Sequence, residues 1–191
     1  MIQPSSSSSY GNPSIQFVDT VQTNVQVDID FLSLVFMDVN GDQQQLKNVF
    51  GKKNTIVVVT RGFAGSICPY CTTQTSRLIS NYAKFTKLDA EVVVVYPMQS
   101  LDDRSKLDKF LKSTRRLLSD PATPVPFPIL LDVGLNVVGQ LGIRHDLSKP
   151  ATYILGKNGQ LRFAYVGSGL ADRPSIKAML EQSETLKKEQ S

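Results

Sequence analysis

Two runs of consecutive apolar, mostly β-branched residues constrain the fold of this chain most: NTIVVVT at 54–60 and AEVVVVYP at 90–97. Runs that are apolar at successive positions are typical of strands buried on both faces, as in a parallel sheet. Between the two runs, apolar residues from 78 to 85 recur at helical spacing. A strand, a helix and a second strand in this order predict a right-handed crossover and a parallel core.

The flanking segments extend this core in both directions. An Asn-Gly pair predicts a hairpin within each of the segments 31–51 and 151–167. The other predicted elements are a strand at 129–133 and helices over 102–118, 134–142 and 172–182. A Rossmann-type nucleotide fold is disfavoured because no G-x-G-x-x-G follows the first strand. The sequence therefore predicts an α/β fold with a central mixed β-sheet flanked by helices and an N-terminal β-hairpin extension.

The length of 191 residues favours a single domain, and no internal repeat or linker divides the chain. The Ser-rich lead, MIQPSSSSSYGNPS at 1–14, is typical of a disordered segment. We therefore predict one domain over 15–182, followed by a polar tail at 183–191.

Charge and hydropathy exclude several classes of function. The formal net charge is only +4, and the Lys and Arg residues are dispersed, which does not favour a nucleic-acid partner. No apolar run approaches the roughly 20 residues of a membrane span, so no membrane partner is expected. The N-terminus shows no basic start followed by an apolar run, as a Sec signal peptide would, and the cytoplasm is the expected location.

Both cysteines of the chain lie in one motif, C-P-Y-C at 68–71, where the first run has ended and the following helix is about to begin. Pro69 suits the first helical position, which places Cys68 at the N-cap. Free N–H groups and the helix dipole stabilise an anion there, so we expect the pKa of Cys68 to lie below the free value of about 8.5. Cys71 follows one turn later. The motif predicts a nucleophile, Cys68, and a resolving cysteine, Cys71.

A structural bridge and a zinc site are roles that a cysteine pair can have without redox chemistry. A disulfide across two intervening residues closes so short a loop that it stabilises little by chain entropy, so a purely structural bridge is disfavoured. Two cysteines and one histidine, His145, also lack the spacing of a zinc site. Two inert buried thiols remain as an alternative to redox activity. We expect no metal and no cofactor other than the dithiol itself.

Several motifs together resemble the AhpC/TSA (redoxin) family of the thioredoxin-like superfamily, in particular its peroxiredoxin-like proteins with an RG…CPYC segment. The resemblance is carried by C-P-Y-C, PFPILLD, PATYILGKNGQLRFAYV and DRPSIKAML, and it covers about residues 30–182. It implies a thioredoxin-like fold and antioxidant, thiol-dependent redox activity: disulfide exchange, peroxide reduction, or both. The implied partners are a thiol or disulfide protein, or a low-molecular-weight thiol reductant, and a hydroperoxide substrate.

The chain departs from the motif of typical peroxiredoxins, which carry P-x-x-x-[TS]-x-x-C around the peroxidatic cysteine. If Cys71 takes the place of that cysteine, Cys68 stands at the Thr position and Ala64 at the Pro position. If Cys68 takes it, those positions hold Gly65 and Arg61. Neither register matches the family motif.

A second departure concerns Pro150, directly before the strand that begins with Ala151. Typical family members have an arginine in this place, which helps to hold the thiolate and the peroxide. In thioredoxin and glutaredoxin the matching residue is a cis proline that faces the dithiol. By this position and the cysteine motif, the site resembles a disulfide oxidoreductase more than a peroxidase. The sequence leaves open whether the bond before Pro150 is cis.

Three further residues near the motif are candidates for supporting roles. The charge of Arg61 would lower the pKa of a cysteine, although a surface arginine is an equally good interpretation. Ser66 is placed either to hydrogen-bond a thiolate or to cap the helix. Tyr70 lies between the cysteines, where it would contact a substrate thiol. An alternative to an enzyme is a thioredoxin-fold redox sensor or binding adaptor that changes its partner affinity without turnover.

Overall fold

A mixed sheet forms the centre of the protein, in a computed structural model that describes residues 11–191. The strands are β1 Val35–Met37, β2 Gln43–Gln45, β3 Asn54–Val59, β4 Ala90–Met98, β5 Ile129–Val133, β6 Ala151–Leu155 and β7 Leu161–Val166. The helices are α1 Leu46–Val49, α2 Pro69–Lys87, α3 Arg104–Arg115, α4 Asn136–Gln140 and α5 Ile176–Glu189. Short 3-10 turns precede β1 and α3, at Phe31–Ser33 and Leu101–Asp103.

The seven strands lie in the order β2-β1-β5-β4-β3-β6-β7. The three central strands, β5, β4 and β3, are parallel, and the outer strands pair antiparallel. All six residues of β3 are buried, as the β-branched run predicts. The predicted α/β architecture, with helices beside a mixed sheet, is confirmed, and β1 and β2 form the N-terminal hairpin.

The two faces of the sheet carry separate cores. Alternate side chains of β4, from Val92 to Met98, pack on one face with α2, α3 and α5. The intervening Val93 and Val95 pack on the other face, under α4 and the segment that precedes β1. Each fully buried valine of this kind contributes about 1.5–3 kcal/mol of hydrophobic stabilisation. We call the first layer the dithiol face, because it includes Cys68 and Cys71.

The loop between β3 and α2 brings the cysteines to the carboxyl ends of the parallel strands. Thr60 still pairs with β4, through its N–H to the Val95 carbonyl at 3.0 Å. Gly62 then turns the chain at a φ of +76°, and a Cβ there would lie 2.4 Å from the Pro97 carbonyl oxygen. Only glycine fits this close approach without strain. The loop is therefore held against the end of β4 before α2 begins.

The segment before β1 covers one edge of the sheet and part of α2. Asn24 lies along β7, donating from its side chain to the Val166 carbonyl at 2.9 Å and accepting from the Val166 N–H at 2.9 Å. Near the start of this segment, the carbonyls of Asn12 and Ile15 accept hydrogen bonds from Arg77 of α2. The first ten residues, which make up most of the predicted disordered lead, lie outside the described residues.

The last helix is longer than its apolar pattern predicts. It was expected to end at residue 182, with a polar tail after it, but α5 continues to Glu189. Ser183 and Leu186 are both buried on its inner side, and the Gln190 amide hydrogen-bonds Asn54 of β3. These contacts hold the last turns against the sheet, although most residues there are polar. Within residues 11–191, no helix is both long and apolar enough to cross a membrane.

Candidate active site

Cys68 and Cys71 lie at the first turn of α2, as the motif predicts. Cys68 is the N-cap, its Sγ accepts a hydrogen bond from the Cys71 N–H at 3.3 Å, and Pro69 is the first helical residue. Both cysteines are free thiols, and both are buried, with exposed fractions of 3% for Cys68 and 1% for Cys71. The dithiol is thus available for oxidation but is shielded from bulk solvent.

A buried arginine from the other end of the chain completes the site. Arg173 precedes α5 and is 1% exposed. Its Nη2 lies 3.2 Å from the Cys71 Sγ and 3.8 Å from the Cys68 Sγ. Its Nη1 donates to the Gln74 side chain at 2.8 Å, and its Nε donates to the Leu170 carbonyl at 2.7 Å.

This arrangement assigns a negative charge to the dithiol. Within residues 11–191, no Asp or Glu forms a salt bridge with Arg173. A buried cation without a counter-ion is costly, and neutral oxygens do not remove that cost. A thiolate beside the guanidinium does. The pair of thiols is therefore best described as sharing one proton, with a single negative charge held against Arg173.

The surroundings place that charge on Cys71. Burial, the largest influence on this group, raises its pKa, but it is outweighed by the hydrogen bond from the Cys68 thiol, the charge of Arg173 and the Arg61 N–H. Together they lower the pKa of Cys71 from 9.0 to about 6. The pKa of Cys68 is raised instead, because its thiol hydrogen-bonds Cys71 and is buried.

The expected low pKa of Cys68 is therefore wrong in its location: the pKa of Cys71, and not that of Cys68, is lowered. Arg173 lies closer to Cys71 than to Cys68, and Arg61 adds an N–H to Cys71 at 3.4 Å. The helix N-terminus contributes a single N–H to Cys68, that of Cys71 itself. Arg173, the side chain that decides which thiol carries the negative charge, lies outside the C-P-Y-C motif.

Arg61 acts through its main chain and not through its charge. Its N–H donates to the Cys71 Sγ, whereas its guanidinium forms a salt bridge with Asp146 at 3.0 Å. The Asp146 side chain is 59% exposed, so the pair lies at the surface. The sequence predicts that the charge of Arg61 acts directly on a cysteine. In the structure Arg61 contacts Cys71 through its backbone N–H instead.

The remaining candidates, Ser66, Tyr70 and Pro150, lie around the motif and differ in how they contact the protein near the dithiol. Ser66 is exposed and, within the described residues, forms no hydrogen bond with either sulfur. Tyr70 is half-buried and packs against the apolar layer of the dithiol face. Pro150 is buried, and the next residue, Ala151, pairs with Val59 at the end of β3. This places Pro150 at the same edge of the sheet as the dithiol. No peptide bond within residues 11–191 is cis, so the bond before Pro150 is trans.

An open cleft adjoins the dithiol loop, with a volume of about 490 Å³. Its walls come from the loop before Cys68, from the end of β4 with the start of α3, and from the loop before Pro150. They are formed by Phe63, Ala64, Gly65, Gln99, Asp103, Lys106, Asp146 and Leu147. The cleft holds groups of both charges, with Lys106 paired to Asp103 at 2.6 Å. Three of its lining residues, Phe63, Ala64 and Gly65, belong to the loop that leads to Cys68.

Sequence reasoning missed one residue of this site, Arg173. Arg173 is 102 residues from Cys71, and arginine is almost never fully buried, so nothing local marks it. Within residues 11–191, no three His, Cys, Asp or Glu side chains gather as a metal site.

A family model described as the AhpC/TSA family matches residues 27–164 of this chain. Among curated proteins, the chain is similar to the thiol-disulfide oxidoreductase ResA of Halalkalibacterium halodurans, with 24% identity over 137 residues. That match covers 71% of this chain and 66% of the relative, so the chain spans slightly less than two thirds of its length.

Solved structures show the same fold. Peroxiredoxin 6 of Arenicola marina matches with a TM-score of 0.70 and 17% identity, covering 85% of this chain and 74% of the other. Peroxidoxin BcpB of Mycobacterium tuberculosis matches with a TM-score of 0.61 and 16% identity, covering 89% and 98%. The MTB protein dsbF, solved in mixed oxidised and reduced forms, matches with a TM-score of 0.56 and 16% identity, covering 84% and 99%.

Proposed function

The chain belongs to the AhpC/TSA family, and from that premise we propose that it is a thiol-disulfide oxidoreductase that cycles between a Cys68–Cys71 dithiol and a disulfide. The observation that carries the proposal is the buried Arg173 guanidinium against two free thiols at a helix start. A structural role for the thiols would not need a thiolate, and thiolate is the species that attacks disulfides. The cytoplasm is the proposed compartment, since a reducing compartment keeps both thiols available.

The reaction with a disulfide substrate begins at Cys68, the more exposed of the two cysteines. Cys68 passes its proton to the Cys71 thiolate, attacks one substrate sulfur and forms a mixed disulfide as the substrate S–S bond breaks. Cys71 then attacks the Cys68 sulfur, releases the second substrate thiol and closes the Cys68–Cys71 disulfide. Two electrons pass to the substrate. In this scheme the Cys71 thiolate is the buried proton acceptor. Strand β3 offers no carboxylate for that role.

The test measures reduction of a cysteine-containing peptide disulfide by the reduced protein and by the two single variants. Cys71→Ser should stop at a mixed disulfide on Cys68, visible as a covalent adduct by mass spectrometry. Cys68→Ser should lose turnover. If the native protein reduces no disulfide, or if Cys68→Ser keeps full activity, the proposal is wrong. A disulfide that forms and changes partner affinity without any turnover would instead support the redox-sensor alternative.

A second candidate function, reduction of hydroperoxides, is favoured by the location of the thiolate. Cys71 is 1% exposed and carries the lowered pKa, so a small oxidant reaches it more easily than a protein disulfide does. The Cys71 thiolate would attack the peroxide, taking one oxygen as a sulfenic acid while the other leaves as an alcohol or water. The Cys68 thiol would then displace water and close the disulfide.

The two functions differ in the variant that accumulates an intermediate. With hydrogen peroxide, Cys68→Ser should hold a sulfenic acid on Cys71, trapped with a sulfenic-acid reagent and mapped by mass spectrometry. Peroxide consumption that is no faster than with free cysteine, together with no trapped Cys71 product, would exclude the peroxidase. The proposed physiological reductant is a thiol protein or a low-molecular-weight thiol, which returns the disulfide to the dithiol.

A further inference from the structure

Gln74 and Cys71 contact the same guanidinium from one side of α2. The two residues are three positions apart in the helix, so their side chains are neighbours on its surface. The Arg173 Nη1 donates to the Gln74 Oε1 at 2.8 Å, while its Nη2 lies 3.2 Å from the Cys71 Sγ. Gln74 is 2% exposed, so this hydrogen bond is shielded from water. Arg173 therefore spans one turn of α2, with one nitrogen on an amide and another on a sulfur.

The hydrogen bond to Gln74 helps to determine where the third nitrogen of the guanidinium lies. The group is planar and rigid, so its three nitrogens move together. The Nε is held by the Leu170 carbonyl at 2.7 Å, and the Nη1 is held by Gln74. With these two nitrogens in place, the Nη2 is directed towards the sulfurs. Gln74 thus aims Arg173 at Cys71.

Gln74 provides this contact without a negative charge. A carboxylate would accept the same hydrogen bond but would also form an ion pair with the arginine. The carboxylate nearest to Arg173 in sequence, Asp172, is engaged elsewhere: it accepts from the Tyr165 hydroxyl at 2.6 Å and from the Ser168 N–H at 2.8 Å. Within the described part of the chain, no carboxylate pairs with Arg173. Its positive charge therefore stays available to the sulfurs.

We propose that Gln74 is the positioning residue of this site: its amide oxygen fixes Arg173 against Cys71 and, being neutral, leaves the positive charge to the sulfurs. The inference rests on the proposed oxidoreductase function. A carboxylate at residue 74 would hold the guanidinium but would neutralise it and would lie one turn from the Cys71 sulfur. Both effects disfavour a thiolate there. Residue 74 thus needs two properties, an acceptor atom and no charge.

Three variants separate these two properties. Gln74→Glu keeps the size and the acceptor of the side chain and adds one negative charge. Gln74→Met removes the acceptor and adds no charge. The control is Asn81→Asp, which adds a carboxylate at a second buried amide of α2, about two turns further along. The Asn81 side chain donates to the Arg77 carbonyl and has no contact with Arg173.

The readouts are the thiolate absorbance titration of the reduced protein and the rate of peptide disulfide reduction against pH. In Gln74→Glu the pKa of Cys71 should rise from about 6 towards its ordinary 9.0, and reduction at pH 7 should slow by about tenfold. This deficit should shrink as the pH is raised towards 9, because the thiolate returns, whereas a purely structural defect would persist. Gln74→Met should show a smaller rise in the pKa, and Asn81→Asp should titrate as the native protein does.

Three results would overturn the role of Gln74: an unchanged titration in Gln74→Glu, a larger rise in Gln74→Met than in Gln74→Glu, or an equal rise in Asn81→Asp. Urea unfolding checks that each variant is folded. If Gln74→Glu does not fold, Gln74→Met decides, and an unchanged titration in that variant overturns the proposal. If the titrations differ as expected but the native protein reduces no disulfide, the oxidoreductase proposal alone fails.

Discussion

Arg173 and Asp132 are both charged side chains with an exposed fraction of 1%, and they lie on opposite faces of the sheet. Asp132 is the next-to-last residue of β5, and its two carboxylate oxygens accept the N–H groups of Val137 and Val138 at 3.0 and 2.8 Å. These are fixed backbone donors at the first turn of α4. Arg173 instead contacts two sulfurs whose charge changes with pH and with oxidation.

The difference separates a structural charge from a functional one. The partners of Asp132 are permanent backbone N–H groups, so its carboxylate caps one turn of helix whatever the redox state of the dithiol. The partners of Arg173 are conditional, so the guanidinium links the protonation and oxidation of Cys68 and Cys71 to the stability of the fold. A buried charge is therefore informative when its partners can themselves change charge.

Replacing Arg173 should give the largest effect. In Arg173→Met the pKa of Cys71 should return from about 6 towards its ordinary 9.0, because the opposite charge is lost. At pH 7 the thiolate fraction would fall from about 90% to about 1%, and disulfide reduction should slow by about 100-fold. Absorbance at 240 nm against pH measures the pKa. Arg173→Lys, which keeps the charge, should recover part of the shift, and an unchanged titration in Arg173→Met would contradict the assigned role.

Replacing Asp132 should affect stability and not chemistry. Asp132→Ala leaves the Val137 and Val138 N–H groups without their acceptor and should lower the free energy of unfolding by about 2–4 kcal/mol. Urea unfolding measures this loss. The thiolate titration should stay that of the native protein, and a shifted titration would show that the two faces of the sheet are coupled.

The two buried charges should also give opposite pH dependence of stability. The folded pKa of Cys71 is lowered, so its contribution is present near pH 9 and is lost as the pH falls through about 6. The free energy of unfolding of the reduced protein should therefore rise between these values, by about 1–4 kcal/mol. The folded pKa of Asp132 is raised by burial, although backbone N–H groups oppose this, so its contribution is lost as the pH rises above 3.8. Urea unfolding of Cys71→Ser should lack the first rise and keep the second effect.

Oxidation of the dithiol should test the effect of the negative charge beside Arg173 at constant pH. Closing the disulfide removes the thiolate and leaves Arg173 without its anion, so the reduced form is favoured and the reduction potential is high. Loss of a thiolate with a pKa near 6 corresponds to about 1.4 kcal/mol at pH 7, or about 30 mV. Arg173→Met should lower the potential by about this amount in equilibrium with glutathione. A higher potential in the variant would contradict the assigned charge.

Arg61 should give the smallest effect. Arg61→Met removes the exposed pair with Asp146 but keeps the N–H that Cys71 accepts. A surface salt bridge of this kind contributes about 0–1 kcal/mol, so the free energy of unfolding should change by no more than that. The titration of Cys71 should be unaltered. A marked rise in its pKa would show that the charge of Arg61 reaches the thiolate after all.

The sequence predicts the parts of this site that depend on local pattern. The run at 54–60, the proline at position 69 and the spacing of the cysteines suffice to place the dithiol at the start of α2, because strand and helix signals act over a few residues. The distribution of charge between the two thiols could not be predicted in this way. It depends on Arg173, which approaches Cys71 only after the whole sheet and α5 have formed.

The same limit explains the other surprises. The mostly polar sequence of residues 183–189 does not mark them as the last turns of α5. The end of α5 depends on contacts between Gln190 and Asn54, at opposite ends of the domain. Local propensity gives the order of the elements, whereas the residues that touch between elements become visible only in three dimensions.

The segment that lies along β7 has a consequence for self-association. An edge strand with free N–H and carbonyl groups is a template for pairing with another chain. Here the side chain of Asn24 satisfies both groups of Val166, and its main-chain N–H donates to the Ala164 carbonyl at 3.0 Å. A short stretch of irregular chain therefore occupies the ladder positions that an intruding strand would need, and it protects this side of the sheet from aggregation without adding a strand.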